Sequence, residues 1–136
     1  MGDLKATVAD IYTAFGRGDV PSVLAHLAED VTWEHWAAWT PHEAGVPWLL
    51  PRNGKAGALE FFQIIGAWTI SDLQVLDLLA GERQVSAQIE IEVRLPGGAT
   101  FRDEEMHLWT FDEGGKVSRF RHYVDTAKHV AAARAG

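Results

Sequence analysis

The chain contains no cysteine. That excludes a disulfide framework, a thiolate zinc site and a cysteine nucleophile, and it leaves the compartment unreadable from redox chemistry. Cationic residues are also scarce: 12 Lys and Arg stand against 19 Asp and Glu, giving a net charge of −7 and a pI of about 5.2. A surface of that sign does not collect phosphates, so nucleic acid is not expected as a partner. No uninterrupted apolar run approaches the ~20 residues that cross a bilayer, and no membrane association is expected. Met1 to Phe15 carry Asp3, Lys5 and Asp10 on an amphipathic pattern rather than a basic stretch followed by an apolar one. No signal peptide is expected there, and the expected location is cytoplasmic.

What is present is a globular balance. Hydrophobic residues make up 47% and charged residues 23% of the 136 positions, which rules out a disordered chain. This length corresponds to one domain, 1–136, able to bury roughly 70% of the surface its unfolded chain exposes.

Leu4, Val8, Ile11, Tyr12 and Phe15 recur at three- and four-residue steps and predict a helix, with Asp3 as N-cap and Gly16 and Gly18 as stops. Val20, Val23, Leu24 and Leu27, with Pro21 in the first turn, predict a second. From Val31 to Trp36 the period switches to two, which puts Val31, Trp33 and His35 on one face of a strand. Periodicity then vanishes from Ala37 to Asn53, a proline-punctuated loop that nevertheless carries Trp39 and Trp48. A third helix follows over Leu59, Phe61, Phe62, Ile64 and Ile65.

Four strand-like runs then succeed one another at 70–80, 84–95, 100–111 and 116–124, separated by turn residues too few for anything but an antiparallel meander. Val85, Ala87, Ile89, Ile91 and Val93 share one face of the second run; Phe101, Asp103, Glu105, His107, Trp109 and Phe111 share one face of the third. On the last run Phe120, His122 and Val124 fall together. A weak alanine-rich helix closes the chain from Thr126 to Arg134. The fold class is α+β: three helices of the N-terminal half on one face of a bent antiparallel sheet, in the order ααβαββββ.

Ile11 to Asp19 (IYTAFGRGD) followed by His26 to Trp33 (HLAEDVTW) resembles the opening of the nuclear transport factor 2 superfamily, in its SnoaL-like and ketosteroid-isomerase-like branch. Ala44-Gly45, Arg52-Asn-Gly54 leading into Leu59 to Phe62, and Asp112 to Val117 leading into Phe120 to Asp125 fit the same pattern in the same order. The resemblance implies a cystatin-like cone whose concave sheet face and helices enclose an apolar pocket. By it, His35 sits where ketosteroid isomerases carry their carboxylate base. His107 sits where they carry the protonated Asp of an oxyanion hole completed by a Tyr, an arrangement with a known physical rationale. His122 falls where limonene-type epoxide hydrolases and SnoaL-like cyclases present a carboxylate. The helix position of the oxyanion Tyr is filled by Ile11, with Tyr12 one step away on a different side.

The expected catalytic residues are therefore His35, His107 and His122, imidazoles that can move protons near neutral pH. Tyr12, Trp33, Trp39, Trp48, Trp109 and Phe120 are expected to bind substrate, with Trp39 and Trp48 as a lid. His26, His42 and His129 are expected to be surface residues, and Asp125 an N-cap. Three histidines from three strands could hold a metal, but no His-x-His or His-x-x-x-His spacing supports one, and neither metal nor cofactor is expected. The expected function is cofactor-independent acid–base chemistry, an isomerase, cyclase or lyase acting on an apolar carbonyl compound. The alternatives are a non-catalytic domain that binds a small apolar or aromatic ligand, and an epoxide hydrolase. The polar outer face of the sheet, Gln88, Glu90 and Glu92 with Arg102 and Glu104, is expected to be solvated or to pair two copies in a homodimer.

Overall fold

The structure, a computed structural model, describes residues 3–36 and 45–135. Asp3 caps the first helix, α1 (Leu4–Gly16), by accepting the Ala6 N–H at 3.2 Å, and Leu4, Val8, Ile11 and Ala14 form its buried stripe. Asp19 caps α2 (Val20–Ala25) in the same way through Ser22. The second helix ends two residues earlier than its apolar spacing predicts. Leu27 belongs instead to β1 (Leu27–His35), where its side chain is buried opposite Val117.

The aperiodic loop holds two elements the sequence does not announce: a 3₁₀ turn at Pro47–Leu49 and a two-residue strand β2 (Arg52–Asn53) paired with β1. Gly54, at φ +73°, turns the chain into α3 (Gly54–Ile65), and a Cβ there would lie 3.3 Å from the Glu29 carbonyl oxygen. Only glycine meets both demands. β3 (Thr69–Ala80), β4 (Gln84–Arg94), β5 (Thr100–Phe111) and β6 (Val117–Tyr123) form the expected meander, and α4 (Thr126–Ala135) follows.

All six strands make one curved sheet in the order β2-β1-β6-β5-β4-β3, antiparallel except where β1 meets β6. Register shifts within β1 and β3 help bend it. Its concave face and the helices enclose the core. Registry sets up two cross-strand rows on that face. Trp33 pairs with Phe120 and Phe120 with Trp109; one pleat along, His35 pairs with His122 and His122 with His107. The same alternation that buries the aromatics therefore lines up three imidazoles beside them. Among the described residues no helix is long and apolar enough to cross a membrane.

Candidate active site

The concave face, α1, α3 and the 3₁₀ turn surround a cavity walled by aromatic side chains, including Trp33, Trp48, Trp109 and Phe120. Its free volume is about 80 Å³, small beside the ~300–1,000 Å³ of ordinary ligand pockets. A compact, flat, apolar group fits such a space. Phe120 stacks on Trp33 with 4.1 Å between ring centroids, and Phe61 and Phe62 of α3 also pack against Trp33.

Five polar side chains break this apolar wall: Tyr12, Glu105, His107, His122 and His129. Four of them form one hydrogen-bonded chain. The Trp109 indole donates to Tyr12 Oη at 3.1 Å; Tyr12 Oη lies 2.6 Å from His107 Nδ1; His107 Nε2 lies 2.9 Å from Glu105 Oε1. Glu105 Oε2 lies 3.2 Å from His129 Nε2, which also meets Asp103 Oδ2 at 2.8 Å, and the Trp48 indole donates to His129 Nδ1 at 2.8 Å.

The protons along this chain follow from which groups can only donate or only accept. An indole N–H only donates and an ionised carboxylate only accepts. Burial would raise the Glu105 pKa, but hydrogen bonds from His107 and His129, and their charges, more than offset it and hold it well below the ordinary carboxylate range. Ionised Glu105 makes His107 Nε2 a donor, and a lone pair on Nδ1 accepts the Tyr12 hydroxyl hydrogen. Trp48 likewise requires a lone pair on His129 Nδ1, so His129 Nε2 carries the hydrogen that faces the carboxylates. Burial pushes the Tyr12 pKa well up, with Trp109 opposing and Glu105 assisting, so its hydroxyl stays a neutral donor.

His122 is the exception. Its side chain is buried and faces the cavity, yet no hydrogen bond reaches its ring from the described residues. Burial lowers its pKa well below the ordinary histidine value, against the pull of Glu105 and with help from His107, His35 and His129. It is a neutral imidazole whose lone pair has no partner among the described residues.

The expected residues are thus placed unequally. Tyr12, Trp33, Trp48, Trp109, Phe120, His107 and His122 reach the wall. His35 is buried beside His122, with Thr126 Oγ1 3.3 Å from its Nε2, but it is not part of the wall. Trp39 and His42 lie outside the described residues. One expectation is corrected. His129 is 3% exposed and central to the network, because α4 docks it onto Asp103 and Glu105 of β5. Trp48, expected in a lid, lines the wall and donates its indole N–H to His129. Tyr12, one step from the position that the resemblance assigns to the oxyanion Tyr, is bonded to His107, and both Ile11 and Tyr12 line the cavity. Asp125 does cap α4, accepting the Lys128 N–H at 3.4 Å. Asp103 and Glu105 are buried on the face that alternation predicts, though alternation alone says nothing of their partners.

Among the described residues, Asp103, Glu105 and His129 are the group compact enough to share a cation. The donor chemistry does not fit one. With Trp48 holding Nδ1, the ring has a hydrogen and not a lone pair on the nitrogen that faces the two carboxylates.

Residues 8–120 match the SnoaL-like domain family. No match is found among curated proteins. Several solved structures share the fold. An NTF2-like protein of unknown function from Burkholderia pseudomallei is 24% identical, with 97% of this chain and 98% of that one covered and a TM-score of 0.79. TerC, co-crystallised with polyporic acid, is 20% identical over 96% and 98% of the two chains, TM-score 0.78. SalBIII, an epoxide hydrolase/cyclase-like enzyme with a role in pyran ring formation in the polyether salinomycin, is 20% identical over 92% of each chain, TM-score 0.73.

Proposed function

The chain belongs to the SnoaL-like domain family of nuclear transport factor 2-like proteins, and from that premise we propose that it is a cofactor-independent acid–base enzyme acting on a compact, apolar, carbonyl-bearing molecule. The observation that carries this reading is a division of labour in the wall. One buried imidazole, His122, is neutral and receives no hydrogen bond from the described residues; one buried phenol, Tyr12, is a neutral donor held in place by Trp109 and His107.

In this reading His122 takes a proton from the carbon next to the carbonyl while Tyr12 turns its hydroxyl hydrogen onto the carbonyl oxygen, where negative charge develops. The imidazolium formed on His122 is attracted to ionised Glu105, and returning its proton to a different carbon completes an isomerisation. Trp109 fixes the phenol oxygen by donating its indole N–H to it, while His107, oriented by Glu105, accepts the phenol hydrogen until the carbonyl takes it. Excluding water from an aromatic cavity strengthens each of these interactions. The co-crystal of TerC with polyporic acid supports a ligand-accepting cavity in this fold. Epoxide opening receives less support, because the carboxylate in the wall, Glu105, is already held by two imidazoles.

The test works without the natural substrate. A panel of small cyclic and aryl ketones is incubated with the protein in heavy water, and deuterium uptake is read by mass. The expected result is catalysed exchange on at least one compound, lowered ~100-fold or more by His122→Gln and about tenfold or more by Tyr12→Phe. Ligands that quench tryptophan fluorescence without any exchange would establish a binding domain instead. Exchange unaffected by either substitution would also overturn the reading.

A further inference from the structure

The acid–base reading uses Tyr12, His107, Glu105 and His122 and gives no role to three buried groups, Trp48, Asp103 and His129. We propose that His129 is a positioning residue for Glu105, and that Trp48 selects the tautomer through which it acts. This rests on the acid–base reading for its purpose and on atom positions alone for its content.

The Trp48 N–H, 2.8 Å from His129 Nδ1, is compatible only with a lone pair there. The His129 hydrogen therefore sits on Nε2, pointed at Asp103 and at the Glu105 oxygen not used by His107. Glu105 is thereby gripped on both oxygens by imidazole N–H groups. It stays ionised, in a fixed orientation, and the His129 tautomer selected by Trp48 does not place a full cation behind it. That leaves the charge free to meet the positive charge that forms on His122.

A second proton on His129 would undo this. It would have to enter at Nδ1, where it would face the Trp48 N–H, so protonated His129 and the Trp48 hydrogen bond exclude each other. The resulting imidazolium would neutralise Glu105 from behind and release an indole of the cavity wall. The forces on that proton are opposed. Burial lowers the His129 pKa, and Asp103 and Glu105 more than offset it and raise the value; the Trp48 donor favours the neutral ring. The other neighbours are few. Phe101 of β5 packs on the ring, and His122 of β6 is close enough to act through its charge. On α4 itself the Asp125 carbonyl accepts the His129 backbone N–H, while the exposed Lys128 ammonium lies on the Arg102 carbonyl oxygen.

The experiment is a pH titration of the full chain labelled with ¹⁵N in its histidines, observed by NMR. The expected wild-type result at neutral pH is His129 with hydrogen on Nε2 and none on Nδ1. In Trp48→Phe, a substitution that keeps most of the wall, the His129 midpoint should rise by about one pH unit, a tenfold gain in proton affinity from losing one hydrogen bond. The hydrogen bond from His107 Nε2 to Glu105 should weaken over the same pH range, read from the shift of its proton, a signature that mere packing by His129 would not produce. A doubly protonated His129 or an Nδ1–H tautomer in the wild type overturns the proposal, and that observation needs no variant. An unchanged midpoint in Trp48→Phe also overturns it. Failure of the ketone-exchange assay with this tautomer pattern intact would sink the acid–base reading while the grip on Glu105 stood.

Discussion

Arg102 and Asp103 are neighbours in the chain and belong to different worlds. Arg102, on the outer face of β5, lies 2.6 Å from Glu90 and from Glu92 and 3.1 Å from Asp72, with all four side chains 31–48% exposed. Asp103, on the inner face, begins a cluster with similar distances, His129 to Asp103 at 2.8 Å and His107 to Glu105 at 2.9 Å, whose side chains are 2–13% exposed. By distance alone the outer cluster is the tighter of the two. The difference is water. Outside, solvent and salt screen each pair and the guanidinium keeps its proton, its hold tightened further by Glu90, Asp72 and Glu92. Inside, each charge has left water, so its partners decide whether it exists at all. One pleat of a strand thus separates a solvated face from a group of proton-bearing residues whose states are coupled.

The sharpest way to break this contrast is Glu105→Gln. The amide keeps the shape but turns an N–H₂ donor toward one of two imidazole donors, leaving buried groups mispaired. At pH 7 the variant should lose about 2–4 kcal/mol of stability, roughly 8–15 °C in Tm by calorimetry. Because folding depresses the Glu105 pKa, its contribution is present above the unfolded value of about 4.3 and is lost as pH falls toward the folded value. The wild-type advantage should therefore shrink in acid. An equally stable Glu105→Gln would mean that the inner charges behave like the outer ones.

A smaller effect separates two imidazoles within the inner cluster. His122 is protonated in the unfolded chain below about pH 6.5 but stays neutral in the fold to well below that value. The unfolded state then binds the extra proton. Stability falls as pH drops from 6.5, by up to ~1.4 kcal/mol per unit, until folded His122 is itself protonated. His129 has the opposite sign: its raised pKa contributes stability below about pH 6.5 that is lost as pH rises through the folded value. In His122→Gln the decline of Tm from pH 6.5 to about 5 should flatten. A wild-type decline retained in full by the variant would remove His122 from the account.

The inner face of β5 is legible in the sequence because period two sorts side chains cleanly, and the order of elements is legible because helix caps and turn residues are local. Partners are not. Alternation says that Asp103, Glu105 and His107 face inward, not which element lies over them. His129 sits in an alanine-rich helix with little amphipathic pattern, so nothing local marks it as buried; docking on β5 decides its environment. Trp48 lies in an aperiodic loop, where the only clue is chemical. Two inward carboxylates and an inward histidine on one strand require donors from whatever covers them, and the closing helix offers His129. Tyr12 is legible as a wall residue because it shares the apolar spacing of α1, but its bond to His107 is not, because that partner lies on another element.

The smallest effect should come from the cluster with the shortest contacts. In Arg102→Met three carboxylates lose their cation, yet they lie on a face open to water, where counterions take its place. Tm should fall by no more than a few degrees, and the difference from wild type should fade as NaCl is raised to ~1 M, where screening reaches about 3 Å. The Glu105→Gln loss, inside the cavity, should persist at the same salt. This pair of measurements also reports on the expected homodimer. If a second copy covers the outer face, water and salt no longer reach Arg102, and Arg102→Met becomes costly, salt-insensitive and dependent on protein concentration. Melting both variants at two protein concentrations and two salt concentrations therefore decides whether the two faces of β5 differ by the presence of water, or whether the outer face is itself an interior.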